Sequence, residues 1–198
     1  MNQQIYEKGL QHLLKVEPNF KKFNPTNKIS FFLRPEGFEG IASLIIEQQI
    51  SVLAAESIKK RVFALMKKIN AAQYLQLDEQ DLRNAGLSRP KISYLHGIAC
   101  LECDGNLNFE SLKSLDDLSA RKELCKIRGI GEWTADCYLM ASLGRVDIWP
   151  VGDIGLQESV KKLKNLKERP SVEDMTSIAR EWRPFRSIAA NLLWADYD

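Results

Sequence analysis

The sequence predicts an all-α protein. Apolar residues recur at helical spacing along nearly the whole chain, and no stretch keeps the period-two alternation of a half-buried strand. The punctuation agrees: Ser, Asp or Asn stands before several of the periodic runs, and Gly or Pro follows them. With 198 residues, 44% of them hydrophobic and 27% charged, the chain reads as an ordinary soluble globular protein with material for one or two small cores.

The elements follow in order. Residues 5–14 form a first amphipathic segment, and 20–35 read as irregular, with Asn24-Pro25 as a turn signal. Gly37 and Gly40 lead into a helix that buries Ile41, Leu44 and Ile45. The next helix is expected to line up Ile58, Val62, Leu65 and Ile69, with Lys59, Lys60, Arg61, Lys67 and Lys68 largely off that face. Asp78 is a natural N-cap for a short helix that Gly86 stops, and Ser88-Arg89-Pro90-Lys91 opens another, because proline fits a first turn. Leu118, Leu124 and Cys125 belong to a helix that ends at Gly129-Ile130-Gly131, and a further helix runs over 133–143 to Gly144. After a loop at 145–152, Asp153 starts a helix carrying Leu156, Val160 and Leu163. Ser171 to Asp174 resembles a capping box for a helix reaching Arg183-Pro184, and residues 188–194 close the set.

Composition excludes several classes. A net charge of +2 neither demands nor forbids a nucleic-acid partner, since a local basic face matters more than the sum. No apolar run is long enough to span a membrane, and the first residues lack the basic-then-apolar layout of a secretory signal, so an intracellular location is expected. Cys100 and Cys103 form a C-x-x-C, but Cys125 and Cys137 stand on either side of the Gly-Ile-Gly turn and supply no second pair. Reduced, mostly buried thiols are the expectation.

The chemistry concentrates at residues 127–135 (I-R-G-I-G-E-W-T-A) and at Asp153. A Gly-Ile-Gly turn between two apolar-periodic segments makes a helix–hairpin–helix. Both glycines are expected to take positive φ and let the backbone approach a partner. The N–H groups of Gly129, Gly131 and Glu132 would then meet an anion at the start of the next helix, with the Thr134 hydroxyl in reach of the same phosphate. The carbonyls of Cys125, Ile127 and Gly129 would converge on the other side and hold a sodium or potassium ion. Asp153 is a good N-cap in its own right, but a carboxylate beside such a hairpin is also able to do chemistry. Asp147 reads as a structural loop carboxylate. Trp149 and Trp182 suit a core, while Trp133 and Trp194 suit either a core or the stacking of an extruded base.

With these residues in hand, the chain resembles the helix–hairpin–helix/Gly-Pro-Asp superfamily of DNA glycosylases, most closely the 3-methyladenine DNA glycosylase II branch. Four stretches carry the likeness: 38–51 (F-E-G-I-A-S-L-I-I-E-Q-Q-I-S), 86–99 (G-L-S-R-P-K-I-S-Y-L-H-G-I-A), 124–153, and 183–194 (R-P-F-R-S-I-A-A-N-L-L-W). The resemblance implies two helical subdomains flanking a cleft, one at about 36–110 and one at about 111–198 joined by residues 1–35. It implies that Asp153 is catalytic and that Trp133, Trp194 and Cys137 line the base pocket. Gln48 and Gln49 fall where the family fills the gap left by a flipped nucleotide. Lys91 and Arg186 are candidate phosphate contacts.

The implied activity is release of alkylated purines of the 3-methyladenine and 7-methylguanine type from double-stranded DNA. No cofactor is required, and the protein is expected to act as a monomer, in the cytoplasm or nucleoid of a bacterium or the nucleus of a eukaryote. Lyase-competent relatives place a lysine shortly after the second glycine. Here that position is Trp133, so strand cleavage is not expected. The alternatives are a glycosylase for another damaged or mismatched base, a hairpin module that holds DNA without catalysis, and an all-α protein with no nucleic-acid role.

Overall fold

The structure, a computed structural model, describes residues 1–23 and 33–195. Eleven α-helices run through them: α1 (Gln3–Val16), α2 (Gly37–Glu47), α3 (Val52–Ala64), α4 (Ala71–Tyr74), α5 (Glu79–Asn84), α6 (Arg89–Cys103), α7 (Asp117–Cys125), α8 (Glu132–Ala141), α9 (Ile154–Lys164), α10 (Val172–Ile178) and α11 (Arg186–Trp194). Two 3₁₀ turns, Pro18–Phe23 and Ser111–Ser114, complete the set, and there is no strand among the described residues. The Asn24-Pro25 turn signal lies outside them.

Most helix starts are set by the expected caps. Asp78 accepts from the Gln80 N–H at 2.7 Å, Asp153 from Leu156 at 2.7 Å, and Ser171 and Asp174 close a reciprocal capping box. Two helices end earlier than their apolar spacing suggests. Helix α3 stops at Ala64, which leaves Leu65 exposed and Ile69 outside the helix, because the Gln73 side chain accepts from the Lys67 and Lys68 N–H groups and caps the departing chain. Helix α10 stops at Ile178 rather than reaching Arg183.

The chain divides into two compact units, Met1–Leu33 with Leu139–Asp198, and Arg34–Tyr138. The core of the first is built on Trp182, fully buried and packed edge-on against Phe20 and Trp149, each at 5.2 Å between ring centroids. Leu13, Leu156, Val160, Leu163 and Ile188 are fully buried in the same unit, where α11 packs against both α1 and α9. In the second unit α2 buries Phe38 and every residue from Gly40 to Ile46, and it packs against α3 and α6. Burying each such Leu or Ile contributes roughly 1.5–3 kcal/mol before entropy is charged against it.

This partition differs from the expected one at residues 111–138, which fall with α2–α6. The reason is local. The α7–α8 hairpin buries Leu124 and Ile130, Phe109 lies 5.4 Å from the Tyr138 ring, and the Tyr138 hydroxyl accepts from the Gly37 N–H at 2.8 Å. Arg121 clasps the buried Asp136 carboxylate with two bonds of 2.7 and 2.8 Å.

Candidate functional site

The hairpin belongs to the second unit. Its first glycine, Gly129, has φ +94°, and a Cβ there would stand 2.4–2.7 Å from the Tyr94 side chain. Gly131 is different from the expectation: it is not among the positive-φ residues, and a Cβ on it would meet nothing within 4 Å. Gly131 and Glu132 lie exposed at the start of α8, where backbone N–H groups favour an anion. Thr134 does not reach outward as expected. It is 2% exposed, and its hydroxyl accepts from Gln48 Nε2 at 2.9 Å.

Gln48 is therefore a clasp. Its Nε2 also donates to the Gly129 carbonyl at 3.0 Å, which joins the end of α2 to the hairpin. Lys91 faces the same junction from α6 and donates to the Ile46 and Gln48 carbonyls, both at 2.7 Å. Burial lowers the pKa of its ammonium group. Gln48 as gap filler and Lys91 as phosphate contact are thus corrected: both side chains are spent inside the unit. Gln49, by contrast, is exposed and sits in the left-handed region at φ 57°, a conformation that costs a non-glycine residue about 1–2 kcal/mol. Exposed Ile50, Val52 and Leu53 follow it, with Ser51 capping α3.

Half-buried Trp133 lies in the first turn of α8, and Cys137, one turn on, is fully buried. Lys126 is exposed and paired with Glu123 at 2.7 Å. Of the carbonyls expected to hold an alkali ion, that of Ile127 closes the turn to the Ile130 N–H and that of Gly129 faces the Gln48 amide, each at 3.0 Å. Two of the three oxygens already point at the positive end of an N–H dipole. Each carbonyl oxygen keeps a second lone pair, so the set of Cys125, Ile127 and Gly129 would still have an acceptor position apiece for an alkali ion, and no chemistry is routed through one. Among the described residues no group of three or more His, Cys, Asp and Glu side chains is arranged for a metal ion, and Cys100 and Cys103 are free thiols.

Asp153 lies in the first unit, where the loop after α8 turns into α9. The loop is pinned by Asp153 N–H to the Pro150 carbonyl at 3.1 Å and by Gln157 Nε2 to the Val151 carbonyl at 3.0 Å. Oδ1 of Asp153 accepts two bonds: the Leu156 backbone N–H at 2.7 Å and the Trp194 indole N–H at 2.9 Å. Trp194 is thus joined to the carboxylate, a contact that sequence reasoning missed. The two residues stand 41 positions apart, and only the packing of α11 on α9 brings them together. Arg186 is corrected too. It forks onto Asp147 with bonds of 2.8 and 2.9 Å and adds a third to the Asp147 carbonyl at 2.8 Å, while Arg183 reaches the same carboxylate at 3.1 Å. Asp147 is the structural carboxylate that its loop position suggested.

Comparison with known proteins gives a consistent picture. The family model for HhH-GPD superfamily base excision DNA repair proteins matches residues 42–184. A DNA-3-methyladenine glycosylase of Bacillus subtilis is 33% identical over 172 residues, which is 81% of this chain but 57% of that protein. The alkylbase DNA glycosidase-like protein mag2 of Schizosaccharomyces pombe is 28% identical over 96% of this chain and 92% of its own length. The structure of the Schizosaccharomyces pombe 3-methyladenine DNA glycosylase Mag1 in complex with abasic DNA superposes with a TM-score of 0.87 at 25% identity, covering 94% of this chain and 95% of that one.

Proposed function

Because the chain belongs to the HhH-GPD superfamily of base excision DNA repair proteins, we propose that it is a monofunctional DNA glycosylase that releases N-alkylated purines from double-stranded DNA. The single observation that carries this reading is the Asp153 carboxylate, held at a helix start by two N–H donors on one oxygen. The relatives named as alkylpurine glycosylases and the DNA-bound neighbour support the choice of substrate class.

The target base is inaccessible in the duplex, so its nucleotide must be extruded. The exposed amides at Gly131 and Glu132 anchor a phosphate, Gln49 fills the vacated stack, and Trp133 faces the base. N3- or N7-alkylation puts positive charge on the purine. A cation over an aromatic face gains about 0.5–2 kcal/mol, and the same charge makes the base a good leaving group without a general acid. The C1′–N bond breaks with its electron pair leaving on the base. Positive charge builds on the sugar ring, and Asp153 stabilises it electrostatically. Water then bonds to C1′ and gives up a proton, for which Asp153 is the acceptor. Trp133 stands where lyase-competent relatives have a lysine, so no Schiff base forms and the strand stays intact. The chain works as a monomer inside the cell and needs no cofactor.

The test is base release from methylated duplex DNA by the wild-type protein and by Asp153→Asn. The substitution should cost at least 10²–10³-fold in single-turnover rate, the scale of losing one electrostatic stabiliser, while duplex binding persists. Near-wild-type release by the variant would overturn the assignment. Preferential release from uracil- or 8-oxoguanine-containing duplexes would redirect the substrate class, and a borohydride-trapped adduct would overturn the monofunctional reading.

A further inference from the structure

We infer that Trp194 is a positioning residue for the Asp153 carboxylate, acting through its indole N–H whatever its ring face offers the base. The inference rests on the reading of Asp153 given above. An indole carries one donor on a rigid bicyclic ring, and here it is aimed at Asp153 Oδ1 at 2.9 Å. The Leu156 N–H meets the same oxygen at 2.7 Å. Two donors from different helices converge on one atom and fix both torsions of a short side chain that a helix cap alone leaves freer.

The backbone on either side of this bond is stitched so that the donor is delivered to its acceptor. Within the loop that ends in Asp153, the Val146 carbonyl accepts from the Ser187 N–H at 3.1 Å. The Ser187 hydroxyl accepts from the Ile148 N–H at 2.9 Å, and Arg186 grips Asp147 beside them. These bonds pin the first turn of α11 to residues 146–148 of the loop. Nine residues of nearly continuously buried helix then carry the indole to Asp153 at the loop's other end. The two strings of residues are tied at both ends, and Arg186 serves the geometry of the carboxylate instead of a phosphate.

A carboxylate oriented this way acts at the sugar and is indifferent to which base leaves. A stacking ring acts on the base. Trp194→Phe separates the two, since it keeps an aromatic face and deletes the N–H. Single-turnover release of 3-methyladenine and of 7-methylguanine should each fall on the order of tenfold, by the same factor, the scale of one hydrogen bond to a charged group. Affinity for a duplex with a tetrahydrofuran abasic site should stay at the wild-type value, and the melting temperature should fall by only a few degrees, the scale of one lost bond. A near-wild-type rate, or losses that differ between the two bases, would show a wall for the base and sink the inference. A readout independent of activity guards against confusion with the catalytic reading. The indole ¹H–¹⁵N resonance assigned to Trp194 by its absence in Trp194→Phe should move upfield in Asp153→Asn. An unmoved resonance means the bond does not exist. A moved resonance with full base release by Asp153→Asn leaves the bond standing and discards the catalytic carboxylate.

Discussion

Gly129 and Gly131 are two residues apart and serve different masters. Gly129 answers to the fold: its backbone is left-handed and its α-carbon abuts Tyr94. Gly129→Ala should therefore destabilise the protein by about 2 kcal/mol or more, visible as a lower melting temperature. Gly131 has no such reason, because a Cβ there meets open space. Its lack of a side chain is room for a partner. Gly131→Ala should leave stability within about 1 kcal/mol of wild type and weaken duplex binding roughly tenfold, a methyl group standing where a phosphate approaches. Fluorescence anisotropy and thermal melts on both variants separate the two roles, and a folding defect in Gly131→Ala would refute the distinction. At this scale the sequence showed which residues are unusual and misjudged where several of them point. Thr134, Gln48, Lys91 and Arg186 have the right chemistry for a ligand, yet each meets a protein partner that is remote in sequence. No local pattern encodes a bond between residues 48 and 134 or between 153 and 194.

Helix starts were readable because caps are local: a short polar side chain bonds to an N–H two or three residues on. Helix ends were less so, since α3 is closed by a glutamine from beyond the turn. One such remote tie gives a pH-dependent prediction. Glu17 caps α1 and is 5% exposed; it meets Lys164 in the last turn of α9 and accepts from the Asn19 N–H at 3.2 Å. Burial alone would push its carboxyl up, but the Lys164 ammonium and the Asn19 N–H outweigh it and hold the pKa below the usual carboxylate range. At pH near that range the unfolded chain binds more protons than the folded one. Stability from this group is thus fully present above the unfolded pKa and is lost as pH falls through the folded one. Glu17→Gln should lower stability at neutral pH by about 2 kcal/mol and flatten the acid limb of a plot of stability against pH. An acid limb unchanged in the variant would rule Glu17 out as its source. Since α9 carries Asp153 at its other end, the variant also reports how firmly that helix must be held for catalysis.

Over the whole molecule the charge is nearly balanced, at +2, and several basic side chains are committed to protein acceptors. Lys91 is spent on carbonyls, Arg61 reaches the Ala85 carbonyl, Arg121 clasps Asp136, and Arg186 with Arg183 holds Asp147. Lys and Arg are also nearly matched by Asp and Glu, 28 against 26, so DNA should be bound through neutral backbone amides and a few locally unmatched cations, releasing few counterions. The slope of log K against log salt should accordingly be shallow, equivalent to about two or three neutralised phosphates. Arg186→Gln tests the point in a way that a phosphate contact and a structural brace answer oppositely. A brace that is 20% exposed and bonded three times to one aspartate costs about 2–3 kcal/mol of stability when removed. The salt slope of duplex binding then stays where it was. A true phosphate contact instead lowers that slope by about one unit, weakens binding to all sequences alike, and spares the melting temperature. The fork onto Asp147 predicts the first outcome, with a fall in base release alongside it, because the brace holds the start of the helix that brings Trp194 to Asp153.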